Sequence, residues 1–392
     1  MDAPVEFLAM RAALISLPQP GEGDLPSIAG KSLAQRQLMF AREAGCDCII
    51  AHGGGASQDG IALRHAAEKL GLKFQVITSG HALPGIIGDA DSLMVLQPGL
   101  LPESPTALDL LRAEGDRILM VSAGPGASAG LERIDLDRAW AGALTMPGRW
   151  LGKLADLPED IAPHGALLRI ALQQRLPEAR LADSMLDDGR WTLIASDDAA
   201  SAVASDWQRS HLGEVAPGAV SRWLGNALVR AAGTRMLDTP YARPALLLLC
   251  AILLGGGVAA GLFERPVLGF FLIALSVPVL EAFLALSRLL VAPFGRIRRL
   301  PWLRMGIDAA LLAVGIMAID SLFHRSIFPP VVLVASLFLL DRRTVPEWLE
   351  PLRDRMLIAG VIGLLALFIT PELAIMLVGL LVLAANIMLP RR

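Results

Sequence analysis

Beyond residue 243 the chain reads as six apolar runs, roughly 244–263, 266–287, 305–323, 327–340, 356–370 and 372–389. A bilayer offers no water to satisfy backbone N–H and C=O groups, so apolar runs of this kind are expected to be helices. Several approach the ~20 residues needed to cross, and two are shorter. The flanking cations sort to alternate sides. Arg230, Arg235 and Arg243 precede the first run. Arg288, Arg296, Arg298, Arg299 and Arg304 separate the second from the third. Arg342, Arg343, Arg353 and Arg355 separate the fourth from the fifth, and Arg391 and Arg392 close the chain. The opposite loops carry only Arg265, His324 and Arg325. The positive-inside rule then places both termini in the cytoplasm, and an even number of spans is consistent with that.

The net charge of −3 hides an asymmetry, because acids concentrate before residue 240 while the apolar half is basic between its runs. That pattern suits anionic lipid headgroups and gives no sign of nucleic-acid binding. Asp2 and Glu6 stand where a signal peptide would carry basic residues, so no cleaved leader is expected. The three cysteines, Cys46, Cys48 and Cys250, do not make a disulfide framework. Cys46 and Cys48 have no histidine at metal-ligand spacing and read as small buried residues.

Residues 10–195 alternate short apolar runs with helical patterns. RAALISL, CDCIIAHGG, KFQVIT, DSLMVL and DRILMVSA read as strands. Residues 32–44 and DGIALRHAAEKLG read as helices closed by Gly45 and Gly71. This alternation predicts an α/β sandwich with a mostly parallel sheet, followed by a six-helix transmembrane bundle. The expected domains are 1–200, an amphipathic linker at 201–243, and 244–392. Ligands of such sheets bind at the carboxyl ends of the strands. Here those ends include His52–Ser57 and Ser122–Ser128. His52-Gly-Gly-Gly55 is either an anion-binding loop or a turn that simply needs glycine. Neither it nor the glycine-rich run at 124–130 has the spacing of a dinucleotide fingerprint or a P-loop.

Two segments, AGKSLAQRQLMFAREAG (29–45) and DADSLMVLQPGLLPES (89–104), resemble sugar- and molybdopterin-type nucleotidyltransferases. Such domains occur fused to a six-span CDP-alcohol phosphatidyltransferase domain. The order of parts here resembles that fusion, as does the linker VSRWLGNALVRAAGTRMLDTPYARP (220–244) before the first run. The resemblance implies a nucleotide-binding loop after the first strand, where this chain has SLPQPGEGDLP. Acids and prolines stand there in place of bases, and Lys31 is left as a remnant phosphate contact. Pro98 stands where the metal-binding aspartate would fall. In the membrane half the resemblance implies four aspartates holding two divalent cations. Ser287-Arg288 fits the Ala-Arg of that motif, but Leu280 and Phe283 occupy two aspartate positions. Asp308 fits a third, and Leu312 stands at the fourth.

Glu281 lies inside the second run, where an acid costs about 2.5–3.5 kcal/mol. Arg288 follows seven residues later, on the same helical face. Glu281, Arg288 and Asp308 form either a polar cluster at the cytoplasmic mouth, or a packing pair with Asp308 at the interface. Arg296, Arg298 and Arg299 either bind lipid phosphate or fix topology. Few polar residues at mid-depth and no internal repeat weigh against a transporter.

Two functions follow. One is a catalytically degenerate relative of phospholipid headgroup transferases, a pseudoenzyme with no metal site and no cofactor, which binds membrane lipid or partners an active lipid-synthesis enzyme. The other is an active but divergent CDP-alcohol phosphatidyltransferase using Mg²⁺ or Mn²⁺.

Overall fold

The computed structural model describes residues 9–18, 25–159, 161–194, 196–239, 241–295 and 301–389. The chain divides after Trp207 into two compact units.

Unit 1 is built on strands β1 (Arg11–Ser16), β2 (Ser27–Ile28), β3 (Lys31–Ser32), β4 (Cys48–His52), β5 (Lys73–Ile77) and β6 (Ser92–Leu96). These are followed by β7 (Leu100–Pro102), β8 (Ile118–Ser122), β9 (Arg138–Pro147), β10 (Glu178–Arg180) and β11 (Trp191–Leu193). Its helices are α1 (Leu33–Glu43), α2 (Gln58–Lys69), α3 (Pro105–Arg112), α4 (Ala123–Ser128), α5 (Pro163–Gln173), α6 (Ser184–Asp187) and the start of α7 (Asp197–Leu212). Seven strands form one sheet in the order β10-β8-β9-β6-β1-β4-β5. Every pairing is parallel except those of β9, which runs antiparallel between β6 and β8. The expected mostly parallel α/β sheet is therefore present.

The central strands are apolar on both faces, as strands covered on both sides must be. Ala12, Ala13, Leu14 and Ile15 of β1 are all fully buried. On one face Leu14, Ile50, Val95 and Trp140 pack with Leu167 and Ile170 of α5. Helix α1 begins with a capping box: Ser32 Oγ accepts from the Gln35 N–H, and Gln35 Oε1 accepts from the Ser32 N–H. Gly45, with φ +85°, supplies the left-handed residue that ends it. Cys46 and Cys48 are buried free thiols, and burial pushes that of Cys46 up to about 12.

Unit 2 comprises α8 (Val220–Asp238), α9 (Ala242–Leu262), α10 (Pro266–Val291), α11 (Pro301–Met317), α12 (Phe323–Asp341), α13 (Arg355–Leu365) and α14 (Pro371–Met388). A 3₁₀ stretch, Glu347–Arg353, precedes α13. Four of these helices, α9, α10, α12 and α14, are long and apolar enough to cross a membrane. The expectation of six spans is corrected on this point. The run expected at 305–323 is a 17-residue helix that carries Arg304 and Asp308 and stops at Met317. The run expected at 356–370 is helical for only 11 residues, because the backbone leaves the helix at Ala366. Apolarity alone ran on past both helix ends.

In unit 1 the ring of His164, in the first turn of α5, stacks on Trp140 with centroids 6.4 Å apart and planes 14° from parallel. Its Nδ1 is buried without a hydrogen-bond partner. Burial, and then the charge of His52, hold His164 below its ordinary value of 6.5; burial does the same to His52. Both imidazoles bind protons more readily in the unfolded chain, so their contribution to stability is complete above pH ~6.5 and is lost as pH falls below it. Urea denaturation of the full chain, followed by tryptophan fluorescence, is expected to show a lower midpoint for unit 1 at pH 5.5 than at 7.5. His164→Leu is expected to shrink that difference. Equal midpoints at the two pH values would contradict this.

Candidate functional site

Eight charged residues of unit 2, on α8, α10, α11, α12, α13 and the 3₁₀ stretch before α13, line a cavity of about 160 Å³. Its construction begins with Gly225 of α8. A Cβ there would lie 2.7 Å from the Ala282 nitrogen and 2.8 Å from the Glu281 Cβ, so only glycine lets α8 cross α10 this closely. The crossing lays Arg222, one helical turn earlier in α8, beside Glu281. The start of α8 is pinned as well, because the Ser221 N–H donates to Asp354 Oδ2 at 2.7 Å. Asp354 also caps α13 by accepting from the Met356 N–H.

Glu281 is only 6% exposed. Its Oε1 accepts from Arg304 Nη2 at 3.1 Å. Its Oε2 lies 3.9 Å from Arg288 and 4.0 Å from Arg222, and is buried with no hydrogen bond. Three guanidinium groups thus face one carboxylate and leave a formal excess of two positive charges. The arginines keep 34–56% of their side-chain surface open, and Arg222 and Arg304 line the cavity together with Glu281.

Opposite them Arg355 forms the second cluster. It donates to Asp308 of α11 at 3.0 and 3.3 Å, and to both oxygens of Asp341 of α12 at 2.9 and 2.7 Å. Arg353 pairs with Glu350 at 3.1 Å and approaches Asp341 at 3.7 Å. Val277, Leu280 and Ile307 form the apolar part of the cavity wall.

The structure brings together two of the three residues that the sequence grouped. Glu281 and Arg288 pair, two turns apart on α10. Asp308 belongs to Arg355 instead. Sequence reading missed Arg222, Arg304, Asp341 and Arg355 as site residues, having counted Arg304 and Arg355 only as loop charges. The one available signal was their concentration beside runs already holding Glu281 and Asp308. Lys31 lies in unit 1 on the β2–β3 hairpin, where its Nζ is 3.0 Å from Met39 Sδ, and burial lowers it to about 8. Arg296, Arg298 and Arg299 lie outside the described residues. The glycines after His52 serve a tight turn: Gly53 and Gly54 have φ +80° and +31°, and a Cβ on Gly60 would meet the Gly54 carbonyl at 2.4 Å.

A pair of Mg²⁺ or Mn²⁺ ions needs several convergent carboxylates. Among the described residues no group of three or more His, Cys, Asp or Glu converges in this way. The oxygens of Glu281, Asp308 and Asp341 face guanidinium groups, which compete with any cation. The described residues of this cavity do not fit a metal centre.

No family model matches the chain, and no curated protein matches it. Solved structures similar to it, over its N-terminal half, are nucleotidyltransferases by name. A UDP-glucose pyrophosphorylase from Acinetobacter baumanii is 14% identical, covering 52% of this chain and 94% of that one, with a TM-score of 0.38. The inositol-1-phosphate CTP transferase from T. maritima is 13% identical, covering 45% and 86%, with a TM-score of 0.33. A protein described as a glucose-1-phosphate thymidylyltransferase from Bacillus anthracis, in complex with sucrose, is 10% identical, covering 44% and 87%, with a TM-score of 0.33.

Arg355 ties α11, α12 and α13 through one planar group, with only 11% of its side chain exposed. Arg355→Gln leaves Asp308 and Asp341 without their shared partner and is expected to cost about 3 kcal/mol, with Arg355→Lys intermediate because it keeps the charge but not the fork. Melting of the full chain in detergent measures this. Unchanged melting of Arg355→Gln would show that the network is not structural.

Proposed function

We propose that this chain is a membrane-associated, transferase-type protein, a non-catalytic relative of phospholipid headgroup transferases, and that unit 2 holds the phosphate group of a membrane lipid or its headgroup precursor. In this reading both termini and the cavity mouth face the cytoplasm, and an active lipid-synthesis enzyme is the partner served. One observation carries it: Glu281, nearly buried in an apolar helix, is faced by Arg222, Arg288 and Arg304, and two of these, Arg222 and Arg304, line a cavity with it.

An acid within an apolar helix is costly, and such residues mark functional sites in membrane proteins. One counter-carboxylate balances the arginines only in part, and guanidinium groups match phosphate oxygens bidentately. The size is also informative. A cavity near 150 Å³ takes a molecule about as large as benzene. That admits a small phosphorylated headgroup. Neutralisation of the carboxylates by arginine supports the absence of metal-dependent transfer.

Two measurements on the full chain in lipid test this. The first is CMP or pyrophosphate release from CDP-alcohols and nucleoside triphosphates with Mg²⁺ or Mn²⁺, which is expected to be absent. The second is titration calorimetry with glycerol phosphate, expected to show saturable binding. Since a charge-assisted hydrogen bond contributes roughly 1.5–3 kcal/mol, Arg304→Gln is expected to weaken that binding about tenfold or more. Metal-dependent CMP release abolished by Asp308→Ala or Glu281→Ala would establish the divergent transferase instead. Failure of any phosphate compound to bind would remove the proposal.

A further inference from the structure

Three of the four carboxylates that line the cavity are already matched. Asp341 receives Arg355 on both oxygens, Glu350 pairs with Arg353 at 3.1 Å, and Asp354 accepts the N–H groups of Ser221 and Met356. Glu281 is the exception. Its Oε1 holds Arg304, while its Oε2 is buried without a hydrogen bond. With Arg353 and Arg355 committed to the matched acids, a phosphate in this cavity draws on Arg222 and Arg304, which line it beside Glu281.

That draw falls on Glu281. Phosphate and carboxylate then compete for the same two guanidinium groups, and the carboxylate is too deeply buried for water to replace them. A buried carboxylate that loses its cations is strongly destabilised. The site therefore needs a cation that serves Glu281 and that the ligand does not reach. Arg288 meets both conditions. It stands two turns after Glu281 on α10, its Nη2 is 3.9 Å from the unsatisfied Oε2, and it does not line the cavity. It is also the least open of the three arginines. Both residues belong to one helix, so a change of side-chain rotamer is enough to close this gap to hydrogen-bond distance.

We infer that Arg288 is a positioning residue for the bound anion: it does not touch the ligand, and it takes over Glu281 when phosphate engages Arg222 and Arg304. Without ligand, Glu281 is shared among three arginines. With ligand, it is held by Arg288. The exchange keeps the buried carboxylate paired in both states and releases two guanidinium groups to the anion. This rests on the phosphate-binding reading above and adds to that site a residue outside the cavity.

The test is a double-mutant cycle, read by calorimetry with glycerol 3-phosphate on the full chain in lipid. Arg288→Gln is expected to weaken binding about tenfold or more, although the residue lies outside the cavity. Melting without ligand is expected to change little, because Glu281 Oε1 keeps Arg304. Arg288→Lys, which retains the charge, is expected to recover most of the affinity. The deciding measurement is Arg288→Gln introduced into the Glu281→Gln protein. A neutral amide needs no counter-cation, so there the same substitution is expected to change affinity less than twofold. Arg288→Met, which keeps the apolar stem, is a second variant with the same expected pattern. Weakening of equal size with and without Glu281 would mean that Arg288 acts on the ligand or on the fold directly, and it overturns the inference. Unchanged binding by both Arg288→Gln and Arg288→Met overturns it as well, and both results leave phosphate binding intact. No binding by the wild-type chain overturns the phosphate reading and this inference together.

Discussion

The contact on which unit 2 depends is that of Glu281 with Arg222, Arg288 and Arg304. Without the arginines, an ionised carboxylate in an apolar helix would be unstable; without the carboxylate, three guanidinium groups from three helices would repel one another. The contact requires α8 to lie against α10, which in turn requires glycine at 225 and the Asp354 cap at the start of α8. Backbone geometry, helix capping and charge therefore specify one arrangement. Glu281 Oε2 is left buried without a hydrogen bond, 3.9 Å from Arg288 and 4.0 Å from Arg222.

Unit 1 is stabilised differently. Its sheet is a conventional product of apolar strands buried on both faces, and its buried ion pair, Arg36 with Glu103 at 2.9 Å, is fully enclosed. Arg36 also donates to the Ile28 carbonyl and lies 4.2 Å from the centre of the Trp207 ring. That network fastens α1 and the β2–β3 hairpin. After β6 the chain continues through Gln97, Pro98 and Gly99. The Gln97 carbonyl is used by Gln37 and its N–H by the Gly142 carbonyl. The carboxyl end of β6 is thus occupied by structural hydrogen bonds.

Much of this was legible in the sequence, for identifiable reasons. RAALIS, CIIAH, KFQVI, SLMVL and ILMVS were readable as strands because short apolar runs bounded by turn residues have few other solutions. Strand β9 was not, because AWAGALTMP mixes small and large residues and is interrupted by Gly142 in a left-handed conformation. In unit 2 the apolar runs were plain, but hydropathy does not report where a helix stops, so α11 and α13 were read as spans. The Glu281–Arg288 pair followed from helical spacing. Arg222, Arg304 and Arg355 did not, because their proximity to the acids arises from three or more helices converging, and no local pattern encodes that.

Native mass spectrometry of the full chain released from lipid nanodiscs, compared with the Arg222→Gln/Arg304→Gln variant, tests the central claim most directly. One phosphate-bearing lipid or headgroup retained per wild-type chain, and lost from an equally folded double variant, is the predicted result. Identical retention by both proteins would show that the arginines around Glu281 hold the helices together and bind no anion.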